Sequence, residues 1–109
     1  MKLPQAEAVH IDARKVLGYL LSQTHPVGRF KARVFAAVGF DETRVDDFIA
    51  EVRRIAAAGD VSETEDFEYG RKYTVPGELK GPRGAARVLT VWMQEAGRED
   101  VRLVTVRPE

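Results

Sequence analysis

Ala86-Arg87-Val88-Leu89-Thr90-Val91-Trp92-Met93-Gln94-Glu95, followed closely by Val101-Arg102-Leu103-Val104-Thr105-Val106-Arg107, decides the fold class of this chain. Both stretches are rich in β-branched and aromatic residues, and Ala96-Gly97-Arg98-Glu99 between them reads as a hairpin loop. A loop of that length predicts a register: Thr90 opposite Thr105, Val91 opposite Val104 and Trp92 opposite Leu103. One sheet face then carries Leu89, Val91, Met93, Val104 and Val106, and is the natural seat for helices. The other carries Val88, Thr90, Trp92, Leu103, Thr105 and Arg107. Two hydroxyls, an indole and a guanidinium make this mixed face a candidate binding surface. It reads equally as a solvent-facing sheet with Thr chosen for β-propensity.

Upstream, the side-chain period of two begins at Gly70, where Tyr73, Val75 and Leu79 alternate with Lys72, Thr74 and Glu78. Pro76 assigns part of this strand to an edge or a bulge. Lys80-Gly81-Pro82-Arg83-Gly84 is turn chemistry, and the acidic stretch 60–69 reads as a loop. Before Gly59 the period is helical. Asp12 is a candidate cap for a first helix carrying Ala13, Val16, Leu17, Leu20 and Leu21, which must stop before Pro26. A second helix is predicted over Arg29–Val38, with Gly39 as its stop. The third, Glu42–Ala58, has the clearest stripe: Val45, Phe48, Ile49, Val52, Ile55 and Ala56. The prediction is a single α+β domain over residues 1–109: three N-terminal helices packed on one face of a C-terminal antiparallel sheet of three to four strands.

Composition narrows the function classes. The 109 residues include no cysteine, which removes disulfides, thiolate metal ligands and cysteine nucleophiles. Seventeen basic and seventeen acidic residues cancel, arguing against a strong nonspecific nucleic-acid binder. The charge is unevenly spread, however: residues 1–40 carry six Lys/Arg against two Asp/Glu, 41–70 three against ten, and 71–109 eight against five. A basic surface and an acidic one can therefore coexist. No signal-like apolar segment opens the chain and no run is long enough for a membrane span, so a cytoplasmic, non-membrane protein is expected. There is no phosphate-binding Gly-rich loop and no nucleophile elbow. With only His10 and His25, a two-histidine zinc site is not expected. Glu63, Glu65, Asp66 and Glu68 do not have EF-hand spacing. No metal and no cofactor is expected.

The segment His25-Pro26-Val27-Gly28-Arg29-Phe30-Lys31-Ala32-Arg33-Val34-Phe35 stands apart. At about 100° per residue, Phe30, Val34, Phe35 and Val38 fall on one apolar side, with Lys31 in its middle and Arg29 and Arg33 outside. Lys31 either snorkels along the core edge or is aimed into a cleft. His25 precedes a helix start, where exposed amides favour an anion and disfavour a protonated imidazole. It serves as a turn cap or as a base. Together such groups suit RNA cleavage through the 2′-hydroxyl, which needs a base, an acid and cations on the phosphoryl oxygens.

The pattern His-Pro-x-Gly-x-x-Lys-Ala-x-x-Phe resembles a bacterial family of domains of unknown function. The resemblance extends through Leu3-Pro4-Gln5-Ala6, Tyr69-Gly70-Arg71-Lys72-Tyr73, Gly81-Pro82-Arg83-Gly84, Thr90-Val91-Trp92 and Leu103-Val104-Thr105, nearly the whole chain. Phe30 departs from it, where relatives often carry a second histidine. The resemblance implies a toxin-associated domain beside a small partner, and its layout is that of barnase/RelE-like ribonucleases. On that reading His25, Lys31, Arg33, Thr90 and Thr105 are catalytic candidates, and Arg29, Tyr73, Trp92 and Arg107 bind substrate. RNA and a cognate antitoxin or immunity protein are the expected partners. The alternative is a non-catalytic protein-binding module of such a pair.

Overall fold

The computed structural model describes residues 1–109 and shows an α+β chain, its helices preceding a four-stranded antiparallel sheet of order β1-β2-β3-β4. The strands are β1 (Glu63–Phe67), β2 (Gly70–Gly81), β3 (Gly84–Glu95) and β4 (Arg102–Pro108). Before them come α1 (Ala13–Lys15), which widens into a π-helical turn over Val16–Leu20, α2 (Arg29–Ala37) and α3 (Val45–Ala58). Asp12 caps α1, its carboxylate accepting the Arg14 N–H at 2.9 Å. No helix is long and apolar enough to cross a membrane.

The third helix follows its stripe: Phe48, Val52, Ile55 and Ala56 are buried. It lies against β2, where Gly77 makes the fit possible. A Cβ there would stand 2.5 Å from the Ile55 side chain, so any larger residue would push α3 off the sheet. Glu51 ties the two together, accepting from the Lys80 backbone N–H at 2.8 Å and from Arg54 at 2.7 Å.

The buried side chains reverse the expected sheet faces. One apolar cluster joins Val16, Leu20, Phe35, Phe48, Val52 and Ile55 of the helices to Tyr73, Val75, Leu79, Val88, Trp92, Leu103 and Val106 of the sheet. The face expected to receive helices, with Leu89, Val91, Met93 and Val104, does not enter it. Thr90 and Trp92 are core residues: both are fully buried, Thr90 Oγ1 donating to the Val75 carbonyl (2.7 Å) and accepting from Trp92 Nε1 (2.8 Å).

A β-bulge explains part of the difference. Trp92 does face Leu103, as the loop length predicts, but Val91 pairs with Thr105 and Thr90 with Val106. Val104 is the extra residue, so side-chain alternation slips by one beyond it. Val106 turns into the core and Thr105 out of it.

Two further differences concern polar sequence. Residues 63–67, expected in a loop, form β1, whose members are nearly all exposed. The strand is held by its ladder and by cross-strand ion pairs, Asp66 with Arg71 and Glu65 with Lys72 at 3.2 Å, rather than by burial. Pro76 sits beyond the last β1 partner, Thr74, so β2 is an edge there and its missing N–H leaves no gap in the ladder.

Candidate functional site

The sheet face away from the core cluster is cupped. It forms a groove of about 260 Å³ between β1 and β4, floored by Thr74, Val91 and Val104. Glu63 and Glu65 stand on the β1 side, Lys72 on β2, and Thr105 and Arg107 on β4. Thr74, Val91 and Thr105 form one cross-strand row with Glu63 at its end. Three strand spacings put the outer backbones about 14 Å apart. A glutamate reaching inward from one wall and an arginine from the other leave room for a group of phosphate size.

Lys31 reaches the groove rim from α2. Its Nζ donates to Thr105 Oγ1 at 3.1 Å, approaches the Tyr19 hydroxyl at 3.5 Å and lies 5.2 Å from the centre of the Tyr19 ring. This contact exists because the chain between the helices is tightly folded. Gly28 packs against the π-helical turn so closely that a Cβ would be 2.2 Å from the Tyr19 carbonyl oxygen. His25 closes the same turn: its Nδ1 accepts from the backbone N–H groups of Val27 (3.1 Å) and Gly28 (3.0 Å), and its ring meets Tyr19 edge-on at 4.7 Å. The lone pair on Nδ1 is thus engaged by the turn itself. The geometry makes His25 a cap on the start of α2.

The other expected site residues separate into three places. Thr105 and Arg107 line the groove with Lys31 at its rim. Thr90 and Trp92 lie in the core, and Tyr73 is also core-facing, its hydroxyl donating to Gln94 Oε1 at 3.4 Å. Arg29 and Arg33 are exposed on the outer side of α2, flanking the Phe30 ring at 4.9 and 5.7 Å. Glu63, Glu65, Lys72 and Thr74 were not singled out from sequence as groove residues. Their signal was the polar alternation of two strands that face one another, which reads as surface until the pairing is known.

Charge accumulates on the α2–β4 side. Nine of the seventeen Lys/Arg residues are paired with carboxylates. Of the eight left, Lys15, Arg29, Lys31, Arg33 and Arg107 belong to the first two helices and β4. Burial pushes the Lys15 ammonium below its ordinary range, and the charges of Arg102 and Lys31 push it further. Lys15, Lys31 and Arg102 are therefore near enough to repel, and an anion placed among them would relieve that repulsion.

The family model described as "Domain of unknown function (DUF6883)" matches residues 2–109. The chain belongs to this family. No curated protein matches it in sequence. Among solved structures, the DUF6883 domain is similar to a chain of the "Contact-dependent growth inhibition toxin - immunity protein complex" from Klebsiella pneumoniae 342. The two are 17% identical with a TM-score of 0.70, over 91% of this chain and 98% of that one. At that identity the likeness is one of fold.

Proposed function

We propose that this chain is a toxin-type ribonuclease domain that cleaves RNA without a metal and acts in the cytoplasm. One observation carries the reading: Lys31 is anchored by Thr105 at the rim of a groove with carboxylates on one wall and free cations on the other. The fold shared with a chain of a toxin–immunity complex supports it at the level of architecture.

The chemistry follows from the placement. Glu63 has no cationic partner within 4 Å, whereas Glu65 is held by Lys72, so Glu63 is the carboxylate free to take a proton. It removes the proton of the 2′-hydroxyl, and the 2′-oxygen attacks the adjacent phosphorus. The bond from phosphorus to the 5′-oxygen breaks, leaving a 2′,3′-cyclic phosphate and a 5′-hydroxyl. Lys31 and Arg107 hold the phosphoryl oxygens as charge grows on them. The leaving 5′-oxygen takes its proton from solvent, to which the groove is open. Thr105 orients Lys31, and His25 fixes the helix that carries it.

The test is cleavage of RNA in excess EDTA by the wild type and by Lys31→Met, Arg107→Gln and Glu63→Gln. Losing one preorganised charge is expected to slow cleavage by about 10²–10³-fold. Equal rates for wild type and all three variants, each folded, would sink the assignment. The alternative of a non-catalytic binding module is favoured by a different surface, the exposed outer face of α2.

A further inference from the structure

On α2 and the turn before it, Val27, Phe30 and Val34 form an apolar stripe at helical spacing that lies outside the core cluster. They are 59%, 57% and 37% exposed, whereas Ala32 and Phe35 of the same segment are fully buried. Exposed apolar residues singly need no explanation, but three in register on one short helix and the turn before it do. Counting 100° per residue from Phe30, the stripe occupies 0–60°, Lys31 lies at 100°, and Arg29 and Arg33 at 260–300°. The stripe is thus bordered by two guanidiniums on one side and by the Lys31 amine on the other.

Neither arginine has a carboxylate partner, although the chain holds seventeen acidic residues. Their guanidiniums rest against the Phe30 ring. Aromatic and arginine side chains together, rimmed by unneutralised charge, are the composition of an interface centre. A nucleic acid would use the ring and the cations but has no need of the two valines. A protein with an apolar patch inside a ring of Asp and Glu uses all of them.

We propose that the outer face of α2 docks a protein partner whose contact surface is apolar at its centre and acidic at its rim. Because Lys31 borders the stripe and also touches Thr105, a partner seated there lies against the Lys31 end of the groove and narrows access to it. The surface itself does not rest on the ribonuclease reading. Only the consequence for access does.

The experiment measures binding to the whole chain of two labelled 18-residue helical peptides with the same leucine stripe, one flanked by glutamate and one by lysine. A third probe is a single-stranded 12-nucleotide RNA made uncleavable by 2′-deoxy substitution. The glutamate peptide is expected to bind at least tenfold tighter than the lysine peptide, to perturb the amide resonances of α2, and to weaken as salt rises. Phe30→Ser and the double variant Arg29→Glu/Arg33→Glu should each weaken it at least tenfold, with the fold checked by circular dichroism. All three positions are exposed, so neither variant disturbs the core. Equal binding of both peptides, or variants that bind as the wild type does, would overturn the proposal. So would RNA binding that depends on Phe30, which would give the face to nucleic acid, or a wild-type dimer that Phe30→Ser dissolves, which would give it to a second copy. Phe30→Ser should cleave RNA at the wild-type rate, whereas Lys31→Met should not, so failure of this docking surface and failure of the ribonuclease reading are separately visible.

Discussion

Replacing Thr90 with valine separates two incompatible roles for that residue. Valine has nearly the same shape, so the change leaves the core filled and removes one hydroxyl. That hydroxyl makes two bonds, donating to the Val75 carbonyl at 2.7 Å and accepting from the Trp92 indole at 2.8 Å, in a site with no access to water. Losing a buried hydrogen bond costs about 1 kcal/mol, and stranding a buried donor adds roughly 1–3 kcal/mol. The expected total is about 2–4 kcal/mol, a large part of the stability of a domain this size. Trp92 is the chain's only tryptophan and is fully buried, so its emission reports both the loss of the bond and the unfolding transition in urea. In a Trp92→Phe background, followed by circular dichroism, the same substitution should cost only about 1 kcal/mol, because no indole is left stranded. RNA cleavage per folded molecule should be unchanged. A destabilisation below about 1 kcal/mol, or a folded Thr90→Val protein that has lost cleavage, would refute the core assignment and restore Thr90 as a site residue.

Four further outcomes follow from the same geometry. Gly28→Ala should destabilise the chain by roughly 1–3 kcal/mol through overpacking against the Tyr19 carbonyl, read by urea unfolding, and should slow cleavage by displacing Lys31. His25→Ala should lose about 1 kcal/mol of capping energy, whereas His25→Asn should retain both stability and cleavage. A folded His25→Asn protein that is inactive would return the histidine to the chemistry. Glu51 is held below its ordinary value of 4.5, chiefly by Arg54 and also by the Lys80 amide. A depressed carboxylate stabilises above its unfolded-state value, so the wild type should exceed Glu51→Gln by about 1 kcal/mol at neutral pH and lose that advantage as pH falls below 4.5, measured by urea midpoints across pH. Deleting Val104 should leave Leu103 and Val106 in the core and Trp92 emission native-like, whereas deleting Val106 should unfold the sheet.

The legible parts of the fold were those in which burial follows a regular period. In α3, Phe48, Val52 and Ile55 recur at helical spacing because one side of that helix packs against the sheet. Strand β1 carries almost no buried side chain, so its Glu and Asp residues give no hydrophobic period, and its partners Arg71 and Lys72 lie on another strand. The bulge is hidden for a different reason: Leu103-Val104-Thr105-Val106 are all good strand formers, and nothing local says which is the extra residue. Because alternation has a period of two, that one residue decides which face Thr105 and Val106 occupy. Within α2, the wheel placed Phe30 and Val34 with Phe35, whereas Ala32 and Phe35 face inward and Phe30 does not. Thr105 and Arg107, which line the groove, and Lys31, which touches Thr105, could be singled out from residue type. Glu63 was not, since an acidic residue in an acidic stretch looks the same whether it faces a groove or open water.

The segment His25–Phe35 is therefore best understood as a device for placing one amine. His25 caps the turn with its Nδ1, which engages that lone pair and gives the turn a fixed shape. Gly28 lets that turn touch the Tyr19 backbone, and no other residue could. Ala32 and Phe35 are fully buried, with the Phe35 ring 5.2 Å from Phe48, so the helix cannot roll about its axis. The position left over between these anchors and the exposed stripe is Lys31, and the side chain it meets is Thr105, which the Val104 bulge has turned toward the groove. Two irregularities far apart in sequence, a glycine contact and a bulge, thus serve the same 3.1 Å contact. A lysine meant only to shield the edge of the core would need neither.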